Sequence, residues 1–184
     1  IVAHLGNGAS MCAMFNRRSQ ATSMGFTAID GLVMGTRSGA LDPGVILYLL
    51  ENKGLGVKQL TRLLYKESGL LGVSGLSQDM RTLLASSDAA AAEAVELFCY
   101  RAVTQIGSLA AAIGGIDALV FTGGIGDHEA EIRRRIVEGC RWLGLELDPE
   151  ANAGQRIHIG TLSSRVDVLV IPTDEEWMIA HHAQ

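Results

Sequence analysis

Residues 1–15 read Ile1-Val2-Ala3-His4-Leu5-Gly6-Asn7-Gly8-Ala9-Ser10-Met11-Cys12-Ala13-Met14-Phe15. An apolar run, a Gly-Asn-Gly break and a second, loosely alternating run make strand, tight turn, strand. Asn16-Arg17-Arg18 marks another turn, and residues 20–23 supply a returning strand, so the N-terminus predicts a three-stranded meander. A strand follows Gly6-Asn7-Gly8 where a dinucleotide fingerprint would have a helix, and a third glycine is missing. No Gly-Lys-Ser/Thr occurs, so there is no P-loop.

Two more glycine turns lie downstream, Gly35-Thr36-Arg37-Ser38-Gly39 and Phe121-Thr122-Gly123-Gly124-Ile125-Gly126. Glycine lets backbone N–H groups approach an anion with no Cβ in the way. Three such turns, one carrying an arginine, point to nucleotide phosphates. Between them the pattern is helical. Asp42-Pro43 opens one helix, with Val45, Ile46, Leu49 and Leu50 as its apolar face. Residues 56–67 and 78–86 make two more. The longest runs from 88 to 113, with a stripe of Val95, Phe98, Ala102, Val103, Ile106, Ala110 and Ile113. Residues 118–121 form a short apolar strand, and Asp127 caps a helix bearing Ile132, Ile136 and Cys140. A strand over 166–171 and a helix over 174–182 close the chain. Strands, then helices, then β-α-β-α predict one α/β domain over residues 1–184, a mixed sheet flanked by helices.

The chain carries 15 Lys and Arg against 20 Asp and Glu, a net charge of −5, which argues against nucleic acid or an anionic membrane as partner. No apolar run reaches the roughly 20 residues of a membrane span. The sequence begins in mid-strand and reads as part of a longer cytoplasmic protein. Cys12, Cys99 and Cys140 are odd in number and set in apolar patterns, as expected of buried free thiols.

Each motif has a plain reading beside its chemical one. Gly6-Asn7-Gly8 is a hairpin turn or a phosphate cradle with Asn7 as an added donor. Arg37 is a surface residue or a planar clamp on phosphate or carboxylate oxygens. Asp79, before Met80 and Arg81, complements a helix dipole or contacts a ribose or base with the arginine. Gly123-Gly124 serves tight β-α packing or ligand contact. Thr173 with Glu176 fits a capping box, which leaves Glu175 free to hold Mg²⁺ through water. His4 ends a strand as a satisfied polar residue or as a base.

Together these residues resemble the acetate kinase family in its C-terminal half. The resemblance rests on residues 1–10, on Thr22-Ser23-Met24-Gly25-Phe26-Thr27, on residues 31–39, on Leu41-Asp42-Pro43-Gly44, on the Phe121–Gly126 turn and on Ile171-Pro172-Thr173-Asp174-Glu175-Glu176. It implies the ribonuclease-H-like fold of the actin, Hsp70 and sugar kinase superfamily, with nucleotide in a cleft between two such domains. It implies transfer of the ATP γ-phosphoryl group to a short-chain carboxylate, acetate or propionate, giving an acyl phosphate and ADP. Arg37 would be catalytic. His4, Gly6, Asn7 and Gly8 would hold phosphates. Asp79, Met80 and Arg81, with Gly123, Gly124, Ile125 and His128, would hold the rest of the nucleotide, and Glu175 would position Mg²⁺. Homodimers through this domain are also implied.

Three positions depart from the family pattern. Ala28 stands where a proline near the acyl pocket is usual, Ala40 replaces an acid, and His128 replaces a common asparagine. The family's first phosphate loop, a second arginine and a catalytic aspartate belong to its N-terminal half, so the chain alone is expected not to turn over. The alternative is a non-catalytic nucleotide-binding and dimerisation module. A sugar kinase, with an aspartate as base, is the third reading.

Overall fold

The structure is a computed structural model that describes residues 1–183, excepting the side chains of Glu175, Met178, Ile179 and His182. The meander forms as expected: β1 (Val2–Leu5), β2 (Ala9–Phe15) and β3 (Arg18–Thr22) pair antiparallel. Asn16 and Arg17 both take positive φ, 50° and 62°, which matches the right-handed twist of a two-residue hairpin. β4 (Ala118–Thr122) lies parallel to β1, and β5 (Asp167–Val170) parallel to β4. The order β3-β2-β1-β4-β5 is that of a ribonuclease-H-like mixed sheet.

Register fixes the site. His4 pairs with Thr122 across β1 and β4, so the two strands end side by side. The Gly6–Gly8 turn and the Gly123–Gly126 turn therefore leave the sheet next to each other, where strand order reverses. Open α/β sheets bind ligands at such carboxyl ends.

The long helix α5 (Ala89–Ile113) packs across β2 and β3. Asp88 caps it by accepting from the Ala90 amide, and Gly114, at φ 78°, ends it in the left-handed region. Val95, Phe98, Ala102, Ile106 and Ala110 are buried as predicted, in one core with Leu5, Met11, Leu119 and Phe121.

Several expectations need correction. α1 (Pro43–Glu51) forms and is capped by Asp42, yet it buries none of its residues, although its sequence is apolar. The second helix, α2 (Val57–Lys66), is followed by an unpredicted one, α3 (Gly69–Ser74), before α4 (Met80–Ala85). Asp127 does not cap: a short helix α6 (Gly123–His128) starts on the glycine turn itself, and α7 (Ala130–Gly139) begins after Glu129. A further short helix, α8 (Pro149–Ala153), was also not predicted. The last helix, α9 (Glu175–His182), is capped by Asp174, whose carboxylate accepts from the Trp177 amide, so Thr173 is not its cap. Cys99 and Cys140 are buried free thiols, pushed up to about 11 and about 12 chiefly by desolvation. Cys12 is only half-buried.

Candidate functional site

The first glycine turn is a tight hairpin. Gly6 donates to the Gly8 carbonyl at 3.0 Å, and Asn7 accepts from the Gly35 amide at 2.9 Å through its own carbonyl. A β-carbon on Gly35 would overlap Asn7 Oδ1, so the second glycine loop closes directly against the first.

That second loop is held by the start of α3. The amides of Ser68, Leu70 and Leu71 donate to the carbonyls of Thr36, Met34 and Gly35 at 3.0, 2.9 and 2.9 Å. Helix N-termini present amides with no partner of their own, and here the loop carbonyls satisfy them. Thr36 Oγ1 also donates to the Tyr65 carbonyl at 2.8 Å, and the Ser38 amide to Leu64 at 3.1 Å. Gly69, at φ 64°, makes the close approach possible: a β-carbon there would overlap the Met34 carbonyl and come within 2.8 Å of the Arg37 carbonyl.

Arg37 rides on this fixed loop. Its Nη1 donates to the Ala28 carbonyl at 2.9 Å and approaches Met34 Sδ at 3.5 Å. It has no ion pair among the described residues. A β-carbon on Gly8 would sit 3.8 Å from Nη1 and 4.0 Å from Nη2, so the guanidinium faces the glycine hairpin. Arginine with its charge unpaired beside open backbone amides is a place for an oxyanion.

The third turn completes the wall. Gly123 has φ 80°, and a β-carbon there would fall 2.8 Å from the Leu5 carbonyl and 3.1 Å from His4 Cε1. Beneath it, Thr122 Oγ1 and Asp127 Oδ1 are buried with no hydrogen-bond partner among the described residues. Burial pushes the Asp127 carboxyl above its ordinary value, while the charges of His128, Arg133 and His4 act the other way.

Two adjoining cavities result. One of about 470 Å³ gathers His4, Gly6, Asn7, Gly8, Arg37, Gly123 and Gly124. The other, about 320 Å³, gathers Asp79, Met80, Arg81, Ile125 and His128, and shares Gly6, Asn7 and Gly124 with the first. Residues as far apart as His4 and His128 thus line adjoining cavities, and Gly123, grouped in the sequence with Asp79, Met80 and Arg81, lines the first of them instead. Met80 contributes only an edge, being packed into the core. Asp79 caps α4 by accepting from the Thr82 amide at 2.9 Å, and it pairs with exposed Arg81 at 3.4 Å. The amide of Thr82, before any other cause, holds the Asp79 carboxyl below its ordinary value.

Sequence reasoning missed Ser10, Met24, Met34 and Thr173, which also line the first cavity. The site assigned to Glu175 lies outside the described residues. Among the described residues, no group of three His, Cys, Asp or Glu side chains could hold a metal ion. A lone carboxylate suits Mg²⁺, which keeps several waters and shares the phosphates of its ligand. No helix among the described residues is long and apolar enough to cross a membrane.

The chain is similar to known proteins along nearly its whole length. Residues 1–181 match the family model described as the Acetokinase family. The acetate kinase of Rhodopseudomonas palustris strain TIE-1 is 62% identical over 99% of this chain and 46% of its own length. That of Methylocella silvestris is 55% identical over 99% and 45%. A crystal structure of Porphyromonas gingivalis acetate kinase superposes with a TM-score of 0.93 at 41% identity, covering 98% of this chain and 47% of that one. A propionate kinase from Francisella tularensis gives 0.92 at 43%, covering 97% and 47%. The chain spans about half the length of the relatives it matches. With this match along nearly its whole length, the chain belongs to the Acetokinase family.

Proposed function

We propose that this chain is the C-terminal, nucleotide-binding and dimerisation domain of a cytoplasmic enzyme. The full-length enzyme transfers the γ-phosphoryl group of ATP to acetate or propionate, reversibly, giving ADP and an acyl phosphate. The Arg37 guanidinium, unpaired and facing the Gly6–Gly8 hairpin across one cavity, is the observation that carries this reading. A carboxylate with an ordinary value near 4.3 is already ionised at pH 7, so the acceptor needs no general base. The barrier lies in bringing one anion onto another. Positioning and positive charge on the transferring oxygens lower it.

In this mechanism Asn7 and Gly8 hold the β- and γ-phosphates, with His4 and Gly6 beside them. Arg37 neutralises charge on the γ-phosphoryl oxygens as the acceptor oxygen attacks in line and the ADP oxygen leaves. Asp79, Met80 and Arg81, with Gly123, Gly124, Ile125 and His128, hold the adenosine. Glu175 would hold Mg²⁺ through water, and the bound ion would supply charge neutralisation on the phosphates.

Ala28 sets the acyl range. Its carbonyl is 2.9 Å from Arg37 Nη1, which puts residue 28 beside the transfer arginine. A methyl in place of a proline ring leaves room for another methylene, which is worth about 1–3 kcal/mol in an apolar pocket. The full-length enzyme should make acyl phosphate, trapped as hydroxamate, with kcat/KM for propionate at least equal to that for acetate. Ala28→Pro should move the ratio about tenfold toward acetate. A natural preference for acetate would overturn the wider pocket, and absence of any acyl phosphate would overturn the activity. This chain alone, lacking the other wall of the cleft, should give none.

The dimer contact is assigned to α1, which α2 covers only in part and which buries none of its residues fully. Leu47 and Tyr48 are 55% and 48% exposed. An apolar helix left open in a domain with a net charge of −5 is the kind of face that a second copy covers. Leu47→Asp with Tyr48→Asp should convert the full-length protein from dimer to monomer in sedimentation. An unchanged mass would assign the contact elsewhere.

A further inference from the structure

The side chain of Arg133, on α7, is fully buried, with 0% exposure. Its Nη1 donates to the carbonyls of Gly126 and Asp127 at 2.8 and 2.9 Å. Its Nε donates to Asn152 Oδ1 at 2.7 Å and its Nη2 to the Asn152 carbonyl at 2.9 Å. Asn152, on α8, in turn donates through Nδ2 to the Ala130 carbonyl at 2.9 Å. A buried guanidinium is costly unless its donors are met, and here both ends of the fork and the Nε are used. Desolvation lowers the Arg133 value, while the carboxylates of Asp127 and Glu129 act the other way.

The two carbonyls that it takes are those left over at the end of α6. α6 has six residues, about 9 Å of helix, too short to hold itself in place. Its first two residues, Gly123 and Gly124, wall the phosphate cavity, and Gly124, Ile125 and His128 wall the adjoining one. α6 therefore lines the cavities from Gly123 to His128, and the carbonyls near its C-terminal end are gripped by Arg133.

We propose that Arg133, locked by Asn152, is a positioning residue for the nucleotide: it sets the place of α6 and hence of the glycine turn, without touching ligand. This rests on the nucleotide reading of the cleft. It predicts a selective effect, because Arg37 and its loop are held separately by α3 and receive nothing from Arg133.

The test uses the full-length enzyme and Mg-ATP, with direct titration, hydrogen exchange and both KM values. Arg133→Lys keeps charge but loses the fork, and Asn152→Ala removes one acceptor while leaving Arg133 its other three. Each should weaken ATP binding at least fivefold, raise amide exchange over residues 123–128, and leave KM for the carboxylate within twofold. Should Arg133→Lys fail to fold, Asn152→Ala decides alone. Unchanged ATP affinity in a folded variant overturns the proposal. So does an equal rise in both KM values, which is the mark of general loosening. Failure of the unaltered enzyme to bind ATP would overturn the nucleotide reading itself, and this inference with it.

Discussion

Arg37→Ala in the full-length enzyme is expected to lower kcat about a thousandfold, about 4 kcal/mol of barrier, with KM for ATP changed far less. The asymmetry follows from where the guanidinium sits. It faces Gly8 with no carboxylate among the described residues to neutralise it, so its charge is available to oxygens whose charge rises during transfer. The other groups proposed to hold ground-state nucleotide are many, and together they line two cavities. An interaction made mainly in the transition state appears in kcat. Arg37→Lys should recover only part of the loss. An ammonium is a point charge that cannot both donate to the Ala28 carbonyl and present a planar fork to the phosphoryl group. Steady-state kinetics in the acyl-phosphate-forming direction decide the matter. A drop of less than tenfold for the alanine variant would remove Arg37 from the chemistry.

Gly69→Ala should be nearly as damaging, although Gly69 lines neither cavity. At φ 64° a β-carbon costs about 1–2 kcal/mol on any residue, and here it also overlaps the Met34 carbonyl. Relief requires the loop over 34–37 to move, and Arg37 moves with it. A displacement near 1 Å at a transferring group can cost about a hundredfold in rate. The expected result is a lowered melting temperature together with a kcat loss of tenfold or more. Gly75→Ala provides the control at the other end of the same helix. It has φ 62° but nothing within 4 Å of the added carbon. It should cost about 1 kcal/mol of stability through backbone strain alone, with kcat unchanged. Equal kcat values for the two variants would show that α3 does not position the arginine.

The fold was readable where one residue pattern has one physical outcome. Alternating runs broken by Asn16-Arg17 give a hairpin, and the stripe from Val95 to Ala110 gives a buried helix. α3 escaped because six residues are too few for a periodicity, and its N-terminus is satisfied by carbonyls some 30 residues earlier in the chain. α1 misled for the opposite reason. Its apolar residues are present in the right pattern, but no pattern states which body they are to be buried against. The cleft residues were legible as chemistry, glycine beside arginine and carboxylate at a helix start. Their division into two adjoining cavities was not. It depends on the register that sets His4 against Thr122, and on a glycine loop packed against Asn7. Arg133 had no signal at all, since an arginine on a helix otherwise reads as a solvated charge.

Ala28 meets Arg37 through its backbone carbonyl, and that has an evolutionary consequence. Every residue type has that carbonyl, proline included. The side chain at position 28 can therefore be exchanged while the arginine keeps its anchor. On the proposed reading, selection on which acid is accepted and selection on how fast phosphate moves would act on different atoms of one residue. With residue 28 in that role, a lineage of such enzymes would drift between acids by single substitutions at this position without first surrendering its turnover.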